Sequence, residues 1–140
     1  TMMLIPASVH GDVPDGQDPV KMWIPDCVVV ELPDRFQELN KAIGATVGEV
    51  VGVSWGKFGL NVPPAEHALW INEEARLAPR RPLPNPIASY FSGHSTILGD
   101  VILLSADSDG NTQSLSTDVI DRTFAIQERM RTAIRSAAQA

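Results

Sequence analysis

The last segment of the chain limits the architecture more than any other part of it. Val119, Thr123, Ile126, Met130, Ala133 and Ala137 recur at steps of 4, 3, 4, 3 and 4 residues, and Ile120, Phe124 and Ile134 widen the stripe. This is the spacing of one apolar face on an α-helix. Asp118 and Asp121 fall in the first turn, and Arg129, Arg131 and Arg135 lie toward the end, the charge order that a helix dipole favours. The pattern predicts a helix over residues 117–139. About 22 residues at 1.5 Å each run roughly 33 Å, as wide as a compact domain of this size. Either the helix crosses an entire sheet, or it projects and pairs with a partner or with a second copy of the chain as a homodimer.

Upstream the patterns are shorter and mostly those of strands. Met2 to Pro6 is an apolar run ended by proline, and Val20 to Leu32 is rich in β-branched residues, with an interruption at Pro25-Asp26 where an edge strand tolerates proline. Asp34 is a candidate N-cap for a helix carrying Phe36, Leu39 and Ile43, with Gly44 as its stop. From Glu49 to Trp55 the residues alternate, Val51, Val53 and Trp55 inward. Leu60 to Val62 is a candidate partner for that strand. Ala68 to Ile71 is read as a strand, Asn72 to Ala75 as a turn and Arg76 to Ala78 as a short return. Asn85-Pro86 supplies an N-cap and a first helical residue for one or two turns to about Phe91. Val101, Ile102, Leu103 and Leu104 are apolar without alternation, as in a central strand covered on both faces. Asp109-Gly110 is a hairpin turn, with Thr112 to Leu115 returning. The class is therefore α+β: a mixed, mainly antiparallel sheet with two short helices and a long C-terminal helix.

With 140 residues, 44% hydrophobic and 20% charged, the chain has the composition of one globular domain spanning residues 1–140. Its net charge of −6 is uneven. Residues 1–50 hold eight acids against three bases, residues 51–100 four against four, and residues 101–140 five against four. A chain without a basic stripe is a poor direct binder of nucleic acid. The acids Asp12, Asp15, Asp18, Asp34 and Glu38, and the helix bases Arg122, Arg129, Arg131 and Arg135, are instead the candidate partner-binding residues. One form this could take is mimicry of nucleic-acid charge. Cys27 is the sole cysteine, which excludes an internal disulfide framework and fits a cytoplasmic setting. The longest nearly uncharged stretch, residues 83–99, is broken by prolines, glycines and His94, so no membrane span is expected. Nor does a basic lead with an apolar run mark a secretory leader.

No residue set points to catalysis. His10, His67 and His94 have no second ligand at metal-binding spacing, so no metal or other cofactor is expected. Cys27 stands beside a valine run, as a small buried hydrophobe does. Ser92-Gly93-His94-Ser95 lacks the strand-turn-helix setting of a nucleophile elbow. Asp107-Ser108-Asp109-Gly110-Asn111 misplaces the glycine of a calcium loop and has Asp118 at its twelfth position, and so reads as a hairpin turn. The glycines 44, 48, 52, 56 and 59 form no phosphate-binding motif. What remains is a polar group, Asn72, Glu74, Arg76, Arg80, Arg81, Asn85 and Asp100. These are either turn, cap and solvated residues or the lining of a groove for a nucleotide-like anion.

The string Ala68 to Glu74, followed by Pro84 to Ala88 and by Ile97 to Leu103, with Leu4 to Pro6, Val28 to Leu32, Leu39 to Gly44 and Gly48 to Val51 before them, resembles the domain of unknown function 3846 family. The likeness covers about residues 2–106, leaving the hairpin of 107–116 and the helix of 117–139 outside it, and Ala75 stands where that family usually has glycine. The resemblance implies small proteins of phages, plasmids and conjugative elements, and carries no catalytic residues over. The expectation is a non-enzymatic accessory protein in the host cytoplasm that binds a host protein, such as a host-takeover or anti-defence factor. The alternatives are a small-ligand binder and, with least support, an enzyme.

Overall fold

The computed structural model describes the chain except residues 10–15, 17, 32–35, 46–47, 55, 60–65, 76–81, 94–95, 108, 110 and 140, and only the backbone at 36–38 and 138–139. The elements are β1 (Met2–Ile5), α1 (Val20–Trp23), β2 (Val28–Val30), α2 (Phe36–Ala42), β3 (Gly48–Gly52), β4 (His67–Asn72), α3 (Pro86–Ser92), β5 (Val101–Ala106), β6 (Thr112–Gln113) and α4 (Thr117–Gln139). The strands form one antiparallel sheet in the order β2-β1-β5-β4-β3, with β6 pairing the end of β5. The α+β class is thus as expected from the residues.

Strand β5 lies at the middle, and its residues Val101 to Leu104 are all buried, which is why it carries no alternation. One face of the sheet, with Met3, Ile5, Leu69, Val101 and Leu103, packs against Ile87 and Phe91 of α3 and Val119 and Ile126 of α4. The opposite face, with Met2, Ile102, Leu104 and Trp70, packs against Leu39 and Ile43 at α2. Helix α4 therefore crosses the sheet and closes the larger core. At 23 residues it is about 34 Å long.

Helix α3 shows how local signals and tertiary contacts agree. Asn85 is the N-cap, its Oδ1 accepting from the Ala88 N–H at 3.1 Å, and Pro86 follows at the first helical position. Gly93 ends the helix at φ 79°, where a Cβ would also collide with Ser54, so glycine is required twice over.

Three expectations change. Val20 to Trp23 is a helical turn rather than the start of a strand, because Asp18 turns the chain into it: its Oδ1 accepts from the Val20 N–H at 3.0 Å and its carbonyl from the Lys21 N–H. Such a local turn outweighs the weak β preference of a few residues. The buried stripe of α4 runs through Val119, Thr123, Ile126, Gln127 and Arg131, while Ala133 and Ala137 are exposed. Beyond Met130 the helix meets the 18–27 segment through Arg131 and Arg135, while Ile134 still packs against the core. Finally, β6 is only two residues long. The partner expected for β3 at Leu60 to Val62 and the return at Arg76 to Ala78 lie outside the described residues.

Candidate functional site

The arginines of α4, read as a docking surface, are for the most part engaged within the molecule. Arg131 is 3% exposed. Its Nε and Nη2 both donate to the Ile24 carbonyl, at 3.0 and 2.8 Å, Nη2 also reaches Asp26 at 2.7 Å, and Nη1 reaches Glu128 at 2.9 Å. Arg135 pairs with Asp18, and Arg122 Nε donates to the Lys57 carbonyl. Gln127, one turn before Arg131, accepts from the Cys27 N–H at 2.6 Å. The early segment and the late helix are thus joined through Asp18 and Asp26, and of the four arginines only Arg129 is exposed. The Arg135 guanidinium and the Val20 N–H hold the Asp18 carboxyl below its ordinary range, and Arg131 does the same for Asp26.

Among the proposed ligand-binding residues, Asn72, Asn85 and Asp100 are taken up in contacts with the backbone. Asn85 is fully buried, and its amide donates to the Ile5 and Gly99 carbonyls at 2.8 and 3.0 Å. Asp100 accepts from the Ala7 N–H at 2.8 Å. Both join β1 to the approach of β5. Asn72 caps its own turn by accepting from the Glu74 N–H. These three have the turn and cap roles that residues of their type fill. Arg76, Arg80 and Arg81 lie outside the described residues, as do Asp12, Asp15 and Asp34 and the side chain of Glu38. A cleft of about 270 Å³ beside the ends of β3 and β4 includes Asn72, with Glu49, Glu73 and Thr96 over Val51 and Ile71. Its described walls carry two carboxylates and no cation, which disfavours an anion there.

The other motifs take structural roles. Asp107 Oδ1 accepts from the Asp109 and Asn111 N–H groups, which fold the hairpin loop. Its carboxyl is held low, chiefly by the Asn111 N–H. His67 is buried against Phe58, and Phe58 against Phe91. His10, His94 and Trp55 lie outside the described residues. Cys27 is buried, and that burial pushes its thiol up to about 12. Among the described residues no three His, Cys, Asp or Glu side chains could share a metal, and no helix is long and apolar enough to cross a membrane.

One feature of the acidic segment was not foreseen. Trp23 is 64% exposed and Val9 55%, whereas tryptophan is highly buried on average. Their backbones are joined, since Val9 N–H donates to the Met22 carbonyl and the Ser8 hydroxyl to that of Trp23. The backbone that carries the indole is therefore tied to residues 8 and 9. A strand reading of 20–32 would have buried alternate residues there, which is why periodicity gave no sign of it.

No curated protein and no solved structure shows a significant match to the chain. A family model does match, over residues 25–129. The likeness thus starts later than expected and runs into α4, so the helix is part of the shared pattern rather than an addition to it. Most of the sheet and the buried half of the long helix fall within the match. The chain belongs to the family described as Domain of unknown function (DUF3846).

Proposed function

We propose that the protein acts by binding rather than by catalysis, as an accessory protein of a phage or mobile element that docks on a protein of the host cytoplasm. The observation that supports this reading is the exposed Trp23 beside Val9, set in the most acidic part of the chain. Aromatic residues, tryptophan above all, are the usual anchors of protein interfaces. The partner surface would present an apolar slot for the indole, and basic groups to suit a segment rich in acids. Arg131 is withdrawn from the contact surface by burial, while Arg135 and Asp18 pair with each other at a partly exposed position.

The test is recovery of a host protein on the immobilised full chain, followed by titration of that protein against variants. Trp23→Ala should weaken binding by about 2 kcal/mol, roughly thirtyfold, with the unfolding midpoint almost unchanged. Asp12→Asn with Asp15→Asn should slow association and reduce its salt dependence. Affinity that survives both changes would overturn the reading. Truncation at Thr117 is not a usable control, because Val119 and Ile126 belong to the main core.

A further inference from the structure

The face of the sheet that carries α2 is only partly covered by it. Where β4 begins and β5 ends, a groove of about 360 Å³ remains open, walled by Val50, Ala68, Trp70, Leu104, Ala106 and Thr112. The registers place these side chains on one face: Trp70 stands opposite Val50 and Ile102, Ala68 opposite Leu104, and Ala106 opposite Thr112. Val50 is 58% exposed. The indole of Trp70 is fixed as one wall, since its Nε1–H donates to Asn40 Oδ1 at 2.8 Å. It also lies over Gly48, where any Cβ would run into the ring. The groove is thus rigid on that side and apolar.

The charged residues at the described strand ends beside it are of one sign. Exposed Glu66 precedes β4, where the register continues opposite Ala106, and exposed Asp109 follows β5, whereas Asp107 is taken up in folding the hairpin loop. No lysine or arginine lies among the described residues of these strand ends, from Glu66 to Ala68 or from Ser105 to Gln113. We infer that the groove is a second docking site, which takes a short apolar segment of a partner protein flanked by lysine or arginine. An apolar slot with an acidic rim rejects acidic flanks by repulsion as much as it attracts basic ones. The site is on the opposite side of the sheet from α1 and Trp23, because α1 packs on α4, which covers the other face. It therefore goes beyond the proposed function and does not depend on it.

The experiment uses the full chain and three fluorescent peptides with the same leucine-rich centre, flanked by lysine, glutamine or glutamate. Binding is followed by anisotropy and by the tryptophan emission of the protein. The lysine-flanked peptide should bind at least about tenfold more tightly than the glutamate-flanked one. Val50→Arg, on an exposed edge position that tolerates it, should abolish binding. Glu66→Lys with Asp109→Lys should erase the preference for lysine, and Trp23→Ala should change nothing. Equal affinity for the three peptides, no binding of any, or indifference to Val50→Arg would overturn the inference. So would a dimer in solution that Val50→Arg dissociates, since a second copy would then be the occupant.

Discussion

Replacing Arg131 with alanine tests the pairing of the early segment with α4. The guanidinium is buried and gives two hydrogen bonds to the Ile24 carbonyl. Hydrogen bonds from a charged donor contribute about 1.5–3 kcal/mol each, and two sharing one acceptor count for less than twice that. Asp26 and Glu128 are 64% and 59% exposed at their side chains, so each ion pair adds no more than about 1 kcal/mol. The substitution leaves the Ile24 carbonyl without these donors and opens space beside Cys27. The sum is a loss of about 3 kcal/mol, within the span seen when a buried pair is broken. For a chain of this size that lowers the melting temperature by about 10 °C. Urea unfolding read by circular dichroism measures the loss. Amide exchange locates it: Ile24 and Cys27, whose N–H groups bond Val20 and Gln127, should exchange faster while β5 stays protected. Arg131→Lys, which offers one compact donor group in place of the fork, should lose about half as much. Arg129→Ala, on the exposed side of the same helix, should stay within about 0.5 kcal/mol. If Arg131→Ala costs no more than Arg129→Ala, the clamp does not hold the segment and the argument fails.

Asn85→Ala removes the α3 cap and both bonds that tie β1 to the start of β5, and should cost about 3 kcal/mol in chemical unfolding. Asn85→Asp should be at least as damaging, since it sets a carboxylate against two carbonyl oxygens. Cys27, with its thiol raised to about 12 by burial, should react with an aromatic disulfide reagent at mildly alkaline pH only at the rate of local opening, and promptly in denaturant. Asp18 and Asp26 have folded-state pKa values below the ordinary 3.8, so the folded chain binds fewer protons than the unfolded one in acid. Their contribution is complete above that value and is lost as the pH falls through the lowered ones. Stability measured from about pH 5 to pH 2 should therefore fall, and more gently in Asp18→Asn with Asp26→Asn.

Much of the frame was legible because it rests on local chemistry. Asn85-Pro86 specified the start of α3, the unalternating Val101 to Leu104 the central strand, and the spacing from Val119 to Met130 the long helix. Each signal is short in range and repeats a pattern that backbone geometry imposes. The errors came where a distant segment decided the outcome. Val20 to Trp23 has strand-like residues, but the Asp18 turn and the packing of α1 on α4 make it helical. Ala133 and Ala137 fit the apolar stripe, yet they are exposed, and the buried face instead runs through Gln127 and Arg131, which meet the Cys27 N–H and the Ile24 carbonyl.

The opening feature, the apolar period of the C-terminal segment, was sufficient to establish a helix long enough to span the domain. Helical periodicity is a property of one chain segment, and the sequence carries it whole. It could not say whether the helix crosses the sheet or leaves it, because the apolar face that receives the stripe is assembled from four strands distant in sequence. Nor could it separate an arginine offered to a partner from one buried on a carbonyl. A guanidinium in the stripe and one beside it look alike until the fold brings Ile24 and Asp26 to Arg131. The tertiary structure alone made that choice, and it joined Asp18 and Asp26 of the acidic segment to Arg135 and Arg131 of the helix within one molecule.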